Sequence, residues 1–189
     1  MVKKDFLRMY TMSQGSRLRR ILLCYRAPGL HGVIIYRFGH WLLRQPLLVK
    51  VFLKPVYLYL NHRMMAKWGI QIDTETEIGE GFLIFHYGGI FVGEDTVIGA
   101  NVSISHNVTI GRSGEGKRRG APVIGNNVYI APGANVSGKI RVGNNVKIGA
   151  NAVVNRNVPD NALVQVSAMQ IVTFPSLYGQ KGSAPEANG

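Results

Sequence analysis

The 189-residue sequence predicts a mainly β fold, a parallel β-helix of hexapeptide repeats preceded by an α-helical segment. Three observations predict it. Ile124, Ile130, Val136, Val142, Ile148 and Val154 fall on an unbroken six-residue lattice, which Val92, Ile98, Ile104 and Ile110 extend and Ile78 and Ile84 begin. Glycine directly follows the lattice residue at Gly79, Gly93, Gly99, Gly111, Gly125, Gly143 and Gly149, and a second apolar or small residue recurs four places after it, as at Val102, Val128, Ala134 and Val146. Asn101, Asn107, Asn126, Asn127, Asn144, Asn145, Asn151 and Asn157 recur where corners are expected. An α-helix needs apolar residues every 3.6 positions and a half-buried strand every second one. A period of six fits neither. It fits a triangular prism in which each short strand lies on one face and three hexads close a turn. Inward residues of successive coils then stack in columns about 4.8 Å apart, and Gly and Asn tolerate the positive φ that corners require.

Residues 1–68 read as a basic helical segment. Ser16 to Arg26 forms one helix, closed by Pro28-Gly29. Leu30 to Arg44 forms a second, with Leu30, Ile34, Phe38, Trp41 and Leu42 along one face and Arg37, His40 and Arg44 near the other. After Pro46, Leu47 to Trp68 continues with a kink expected at Pro55. This segment carries thirteen Lys and Arg against one acid, Asp5, which is the whole formal excess of +12; the rest of the chain balances at nine against nine. Two readings of the basic faces stand side by side. One is a solvated or subunit-packing surface that caps the first coil. The other is a helix hairpin lying on anionic lipid, with Arg37, Arg44, Lys50 and Lys54 at the headgroups and Trp41, Tyr57, Tyr59 and Trp68 at the interface. No stretch of 18 residues is free of charge, which disfavours a membrane span. No recognition motif accompanies the charge, so nucleic acid is not an expected partner. The one cysteine, Cys24, lies in an apolar run and reads as a buried helical thiol, and its solitude points to a reducing compartment. Met1 to Tyr25 lacks the pattern of a cleavable signal sequence. The expected location is the cytoplasm, at the inner face of the membrane under the lipid reading.

Residues 69–168 form the expected prism, and residues 169–189 an extension whose Gly-rich and Ser-rich end reads as disordered. Repeat prisms are rigid, so function is expected where the lattice breaks. From Ile84 to Val92 the step is eight, across Phe85-His86-Tyr87-Gly88-Gly89, and from Ile110 to Ile124 it is fourteen. The second break holds Arg112, Lys117, Arg118 and Arg119 among glycines and leaves the prism as a loop, either merely solvated or suited to phosphates or a polyanion. His86 is two past Ile84 and His106 two past Ile104, about one turn apart, so the two should share a face in successive coils and point outward. Glu94, two past Val92, takes the equivalent slot on the next face. An imidazole is suited to accept a proton at neutral pH. His86 is the first candidate base and His106 the second.

These residues carry a resemblance. Ile78-Gly79-Glu80-Gly81-Phe82-Leu83-Ile84-Phe85-His86, then Val92-Gly93-Glu94, then Val108-Thr109-Ile110-Gly111 with a Gly-rich basic loop ending at Pro122-Val123-Ile124-Gly125, resembles the left-handed parallel β-helix acyltransferases, in the serine acetyltransferase branch. The likeness covers about Ile70 to Val166. It implies acetyl-CoA as co-substrate, no metal, and a homotrimer with acetyl-CoA in the groove between neighbouring prisms. It implies His86 as general base and Glu94 lining the site. It also implies a pantetheine arm running past Ala131 to Gly149, with Lys139 and Lys147 near the CoA phosphates. Gly111, Arg112 and Lys117 are further cofactor-binding candidates, and a backbone N–H near Gly111 or the loop is the expected oxyanion donor. Four positions depart from the branch. The Asp that orients the base is Phe85, the second active-site His is Ala121, the carboxylate-reading Arg is Gly120, and the Asp for the serine amino group is Gln71.

Those departures point away from a zwitterionic acceptor. The expected activity is O-acetylation of a sugar or polysaccharide hydroxyl, of the kind seen in bacterial capsule and exopolysaccharide synthesis. Serine acetyltransferase is the alternative. A zinc-dependent carbonic anhydrase on the same prism needs three convergent His, and the repeat offers two. An inactive assembly scaffold is the last reading.

Overall fold

The computed structural model describes residues 1–116 and 119–166. Among these, four helices, α1 (Val2–Met12), α2 (Arg17–Arg26), α3 (Pro28–Leu43) and α4 (Leu47–Trp68), precede five coils of short strands. The first coil holds β1 (Ile70–Ile72), β2 (Glu77–Ile78) and β3 (Leu83–Ile84), and the second β4 (Ile90–Val92), β5 (Val97–Ile98) and β6 (Ser103–Ile104). The third holds β7 (Thr109–Gly111), β8 (Val123–Ile124) and β9 (Tyr129–Ile130), and the fourth β10 (Asn135–Ser137), β11 (Arg141–Val142) and β12 (Lys147–Ile148). The last is built from β13 (Val153–Val154) and β14 (Leu163–Val164). Strands pair in parallel with those of the next coil, giving three faces in the orders β1-β4-β7-β10-β13, β2-β5-β8-β11 and β3-β6-β9-β12-β14.

The lattice residues form the core. Ile72, Val92, Ile110, Val136 and Val154 stack beneath one face, Ile78, Ile98, Ile124 and Val142 beneath the second, and Ile84, Ile104, Ile130 and Ile148 beneath the third; all are buried. The corner asparagines divide into two roles. Asn101, Asn107, Asn127, Asn145 and Asn151 adopt positive φ, as their spacing requires. Three of these also bridge coils side chain to side chain, Asn101 to Asn127 at 3.3 Å and Asn127 to Asn145 at 3.1 Å, whereas Asn126, Asn144 and Asn157 tie coils together through the backbone. Their side-chain oxygens accept the backbone N–H of Ala100 at 2.7 Å, Asn126 at 2.8 Å and Arg141 at 2.8 Å respectively.

The helices seal the open end of the first coil, and here the structure corrects the sequence reading. The helix α1 was not expected. In α3 the buried face runs through Leu30, Val33, Tyr36 and Arg37, while Ile34 and Trp41 are 38% and 47% exposed. The reason is the closeness of the backbone to the prism. A Cβ on Gly29 would lie 2.4 Å from the Ile84 carbonyl oxygen, and one on Gly39 would lie 2.6 Å from the Thr74 side chain. The docked face is therefore built on glycine rather than on the bulkiest residues. Arg37, expected at a lipid or solvent surface, is buried. Its guanidinium pairs with the fully buried Asp5 at 3.1 Å and donates to the Ile78 and Gly79 carbonyls. Asp5 in turn accepts the Phe82 N–H at 2.9 Å. The Tyr36 hydroxyl donates to the Thr76 carbonyl at 2.5 Å, and burial pushes its pKa up to about 12. The long α4 continues through Pro55.

Candidate active site

The two extra residues after β3 bulge the corner outward through Gly88 and Gly89, both at positive φ. His86 stands on this bulge. Because Ile84 pairs with Ile104, the register places His106 in the next coil directly against it. The ring centroids are 5.9 Å apart at 75°, edge to face. His86 is exposed and His106 half-buried. Among the described residues, no carboxylate hydrogen-bonds either ring. Phe85, where the branch has its orienting Asp, packs its ring edge-on against Tyr129 at 6.2 Å.

The same corner continues upward past small residues. Ala131 directly follows β9 and Gly149 directly follows β12, one position short of the histidine column, and their backbones donate to the Ile148 and Val164 carbonyls at 2.9 and 2.7 Å. Lys147 stands exposed on the adjoining face, in register with Tyr129 and Leu163. An open edge thus runs from the histidine pair along the prism. At its lower end His86 lines a cleft of about 440 Å³ whose other wall is helical: Met9 of α1, Leu23 and Arg26 of α2, and Pro28 and Gly29 of α3. The N-terminal helices therefore shape the histidine site. Arg26 was missed because no motif marks it; only the packing of α2 brings it there.

Glu94 sits elsewhere, at the opposite end of β4 from the bulge. It pairs with Arg112 at 3.3 Å, and Arg112 also pairs with Asp95. A second cleft of about 450 Å³ opens there, lined by Gln71, Asp73, Phe91, Glu94, Arg112 and Arg119. The loop after β7 is closed at its base by Ser113 and Gly120, which exchange N–H···O bonds of 3.1 Å each. Gly111 is buried and accepts the Gly138 N–H at 3.1 Å, and the Lys139 side chain packs under Gly120. Lys117 lies outside the described residues. The expected site residues thus fall into two groups. His86, His106, Ala131, Lys147 and Gly149 belong to one corner; Glu94, Gly111, Arg112 and Lys139 belong to the next. The face β1-β4-β7-β10-β13 separates them, so one chain alone does not bring Glu94 to His86. Cys24 is buried on α2, and burial pushes its thiol pKa up, which suits no nucleophile. Among the described residues, no three His, Cys, Asp or Glu side chains converge as a metal site.

Comparisons with known proteins agree with this architecture. The profile of the bacterial transferase hexapeptide (six repeats) matches residues 121–156. A serine acetyltransferase of Helicobacter pylori is 37% identical over 155 residues, covering 81% of this chain and 85% of that protein. One from Synechococcus elongatus is 35% identical over 144 residues, covering 76% of this chain; the present chain spans 56% of its length. The crystal structure of a serine acetyltransferase from Brucella abortus in complex with coenzyme A superposes with a TM-score of 0.73 at 31% identity, covering 89% of this chain and 65% of that one. The prism is thus a hexapeptide-repeat left-handed β-helix. These relatives carry the serine acetyltransferase name, which corrects the expectation that exopolysaccharide O-acetyltransferases would be the nearest kind.

Proposed function

Since the chain belongs to the serine acetyltransferase family of hexapeptide-repeat transferases, we propose that it is an acetyl-CoA-dependent O-acetyltransferase with His86 as general base. The observation that carries this reading is the His86–His106 pair at the foot of the open edge that Ala131 and Gly149 continue. The imidazole of His86 takes the proton of an acceptor hydroxyl as its oxygen attacks the thioester carbonyl of acetyl-CoA. The tetrahedral adduct then expels the thiolate, which recovers the proton from the imidazolium and leaves as free CoA. No enzyme nucleophile takes part. His106, half-buried against His86, holds the first ring in place where Phe85 supplies no carboxylate. The separation of Glu94 from His86 within one chain supports a homotrimer, in which one protomer's histidine corner faces its neighbour's Glu94–Arg112 cleft.

For the acceptor, the relatives favour L-serine, and the Glu94–Arg112 cleft adds a physical reason. It holds Asp73 and Glu94 beside Arg112 and Arg119, the mixed charge that a zwitterion needs. A sugar or polysaccharide hydroxyl is the second reading. It is favoured by the aromatic pair Phe85–Tyr129 next to His86 and by Gln71, Gly120 and Ala121 at positions that read serine in the branch. Release of CoA thiol from acetyl-CoA, followed with L-serine and with a panel of sugars, tests both. A serine-dependent rate supports the first, a sugar-dependent rate with none on serine supports the second, and no stimulated release with any acceptor refutes acyl transfer.

A further inference from the structure

Two helical faces that the site does not use point away from the protein. On α2, Leu18, Ile21, Leu22 and Tyr25 recur at i, i+3, i+4 and i+7, the spacing of a stripe that in a soluble domain meets the core. Here they are 69%, 49%, 51% and 76% exposed. On α4, Leu47, Leu48, Val51, Phe52, Leu58 and Tyr59 are 52–76% exposed. They lie opposite the face that carries half-buried Leu53, Tyr57 and Leu60 and buried Met64, which meets α3 and β1. The C-terminal ends of the two helices are joined through His31 of α3, whose ring packs on Tyr25 at 6.3 Å and on Trp68 at 5.8 Å.

The charge beside these stripes has one sign. From Phe6 to Ile72 the chain holds no Asp or Glu, and Arg17, Arg19, Lys50, Lys54, Arg63 and Lys67 flank the apolar residues. A second copy of this face would bury hydrocarbon while setting cations against cations with no acid to pair them. An anionic bilayer surface supplies both needs at once, acyl chains for the stripes and headgroups for the cations. No described helix is long and apolar enough to cross a membrane, so the geometry is that of helices lying in the interface. We propose that the outer faces of α2 and α4 dock this protein on an anionic lipid bilayer. In a cyclic trimer with parallel prism axes, three such faces stand at one end and their contacts add. The inference is independent of the acyl-transfer reading.

The test is sedimentation of the intact protein with vesicles of phosphatidylcholine, alone or mixed with phosphatidylglycerol. Binding to the mixed vesicles only, weakening as added salt shortens the Debye length, is expected. Lys50→Gln with Lys54→Gln should weaken it roughly 30-fold, about fivefold per cation, and Leu22→Glu with Phe52→Glu should abolish it. Acetyl transfer to a soluble acceptor by these variants should stay at the wild-type rate. Equal sedimentation with both vesicle types, or with neither, would overturn the proposal. So would a drop in oligomer mass on Leu22→Glu with Phe52→Glu in lipid-free buffer, which would assign the faces to subunit packing.

Discussion

Replacing Arg37 with alanine removes the cation that is ion-paired with Asp5 inside the junction of α1, α3 and the first coil. Asp5 is fully buried and Arg37 is 6% exposed, with the charged atoms 3.1 Å apart. The substitution leaves a carboxylate sealed from water with only the Phe82 N–H as a remaining partner, and it orphans the Ile78 and Gly79 carbonyls. Breaking a buried pair from one side costs about 3–5 kcal/mol. For a chain of this length each kcal/mol moves the melting temperature by about 2–4 °C, so a fall of roughly 6–20 °C is expected. Removing both partners, as Asp5→Ala with Arg37→Ala, should cost much less than the sum of the single changes, because no uncompensated charge remains. Urea unfolding of the four proteins in a double-mutant cycle measures the coupling. If Arg37→Ala costs less than about 1 kcal/mol, within the range of an exposed pair, Arg37 is a surface cation and the clamp does not exist.

Three further outcomes follow from the same structure. Gly29→Ala should destabilise by about 1–3 kcal/mol in thermal unfolding, since its methyl would meet the Ile84 carbonyl oxygen at 2.4 Å and α3 must lift. In a tyrosine titration followed by ultraviolet absorbance, Tyr36 should ionise last, near 12. With its pKa raised in the folded state, its contribution is whole below the unfolded value of about 10 and is lost as pH rises through 12. Light scattering should give three times the 20.8 kDa chain mass, and a strict monomer at micromolar concentration would remove the shared site.

The prism was legible in the sequence because a solenoid turns sequence spacing into position by arithmetic. Ile84 pairs with Ile104, so the offset of two residues was enough to set His86 against His106 before any coordinates. The helical cap was not legible by the same means. The one buried residue of α1 is Asp5, an acid that a hydropathy reading places at the surface. The docked face of α3 sets glycines and Arg37 among Leu30, Val33 and Tyr36, and because a hydropathy reading sends glycine and arginine to the surface, it drew the stripe through Ile34 and Trp41 as well. Arg26 reaches the histidine cleft only through the placement of α2. Glu94 was correctly placed on its own corner, yet the spacing did not reveal that a whole face keeps it from His86. That separation is tertiary and points beyond one chain.

The most direct test of the central claim is the steady-state rate of CoA thiol release by wild type and His86→Ala with the best acceptor. The account predicts a fall of roughly 10² to 10⁴ with an unchanged melting temperature, because the His86 ring is exposed and holds up no core. Equal rates for the two proteins would contradict it.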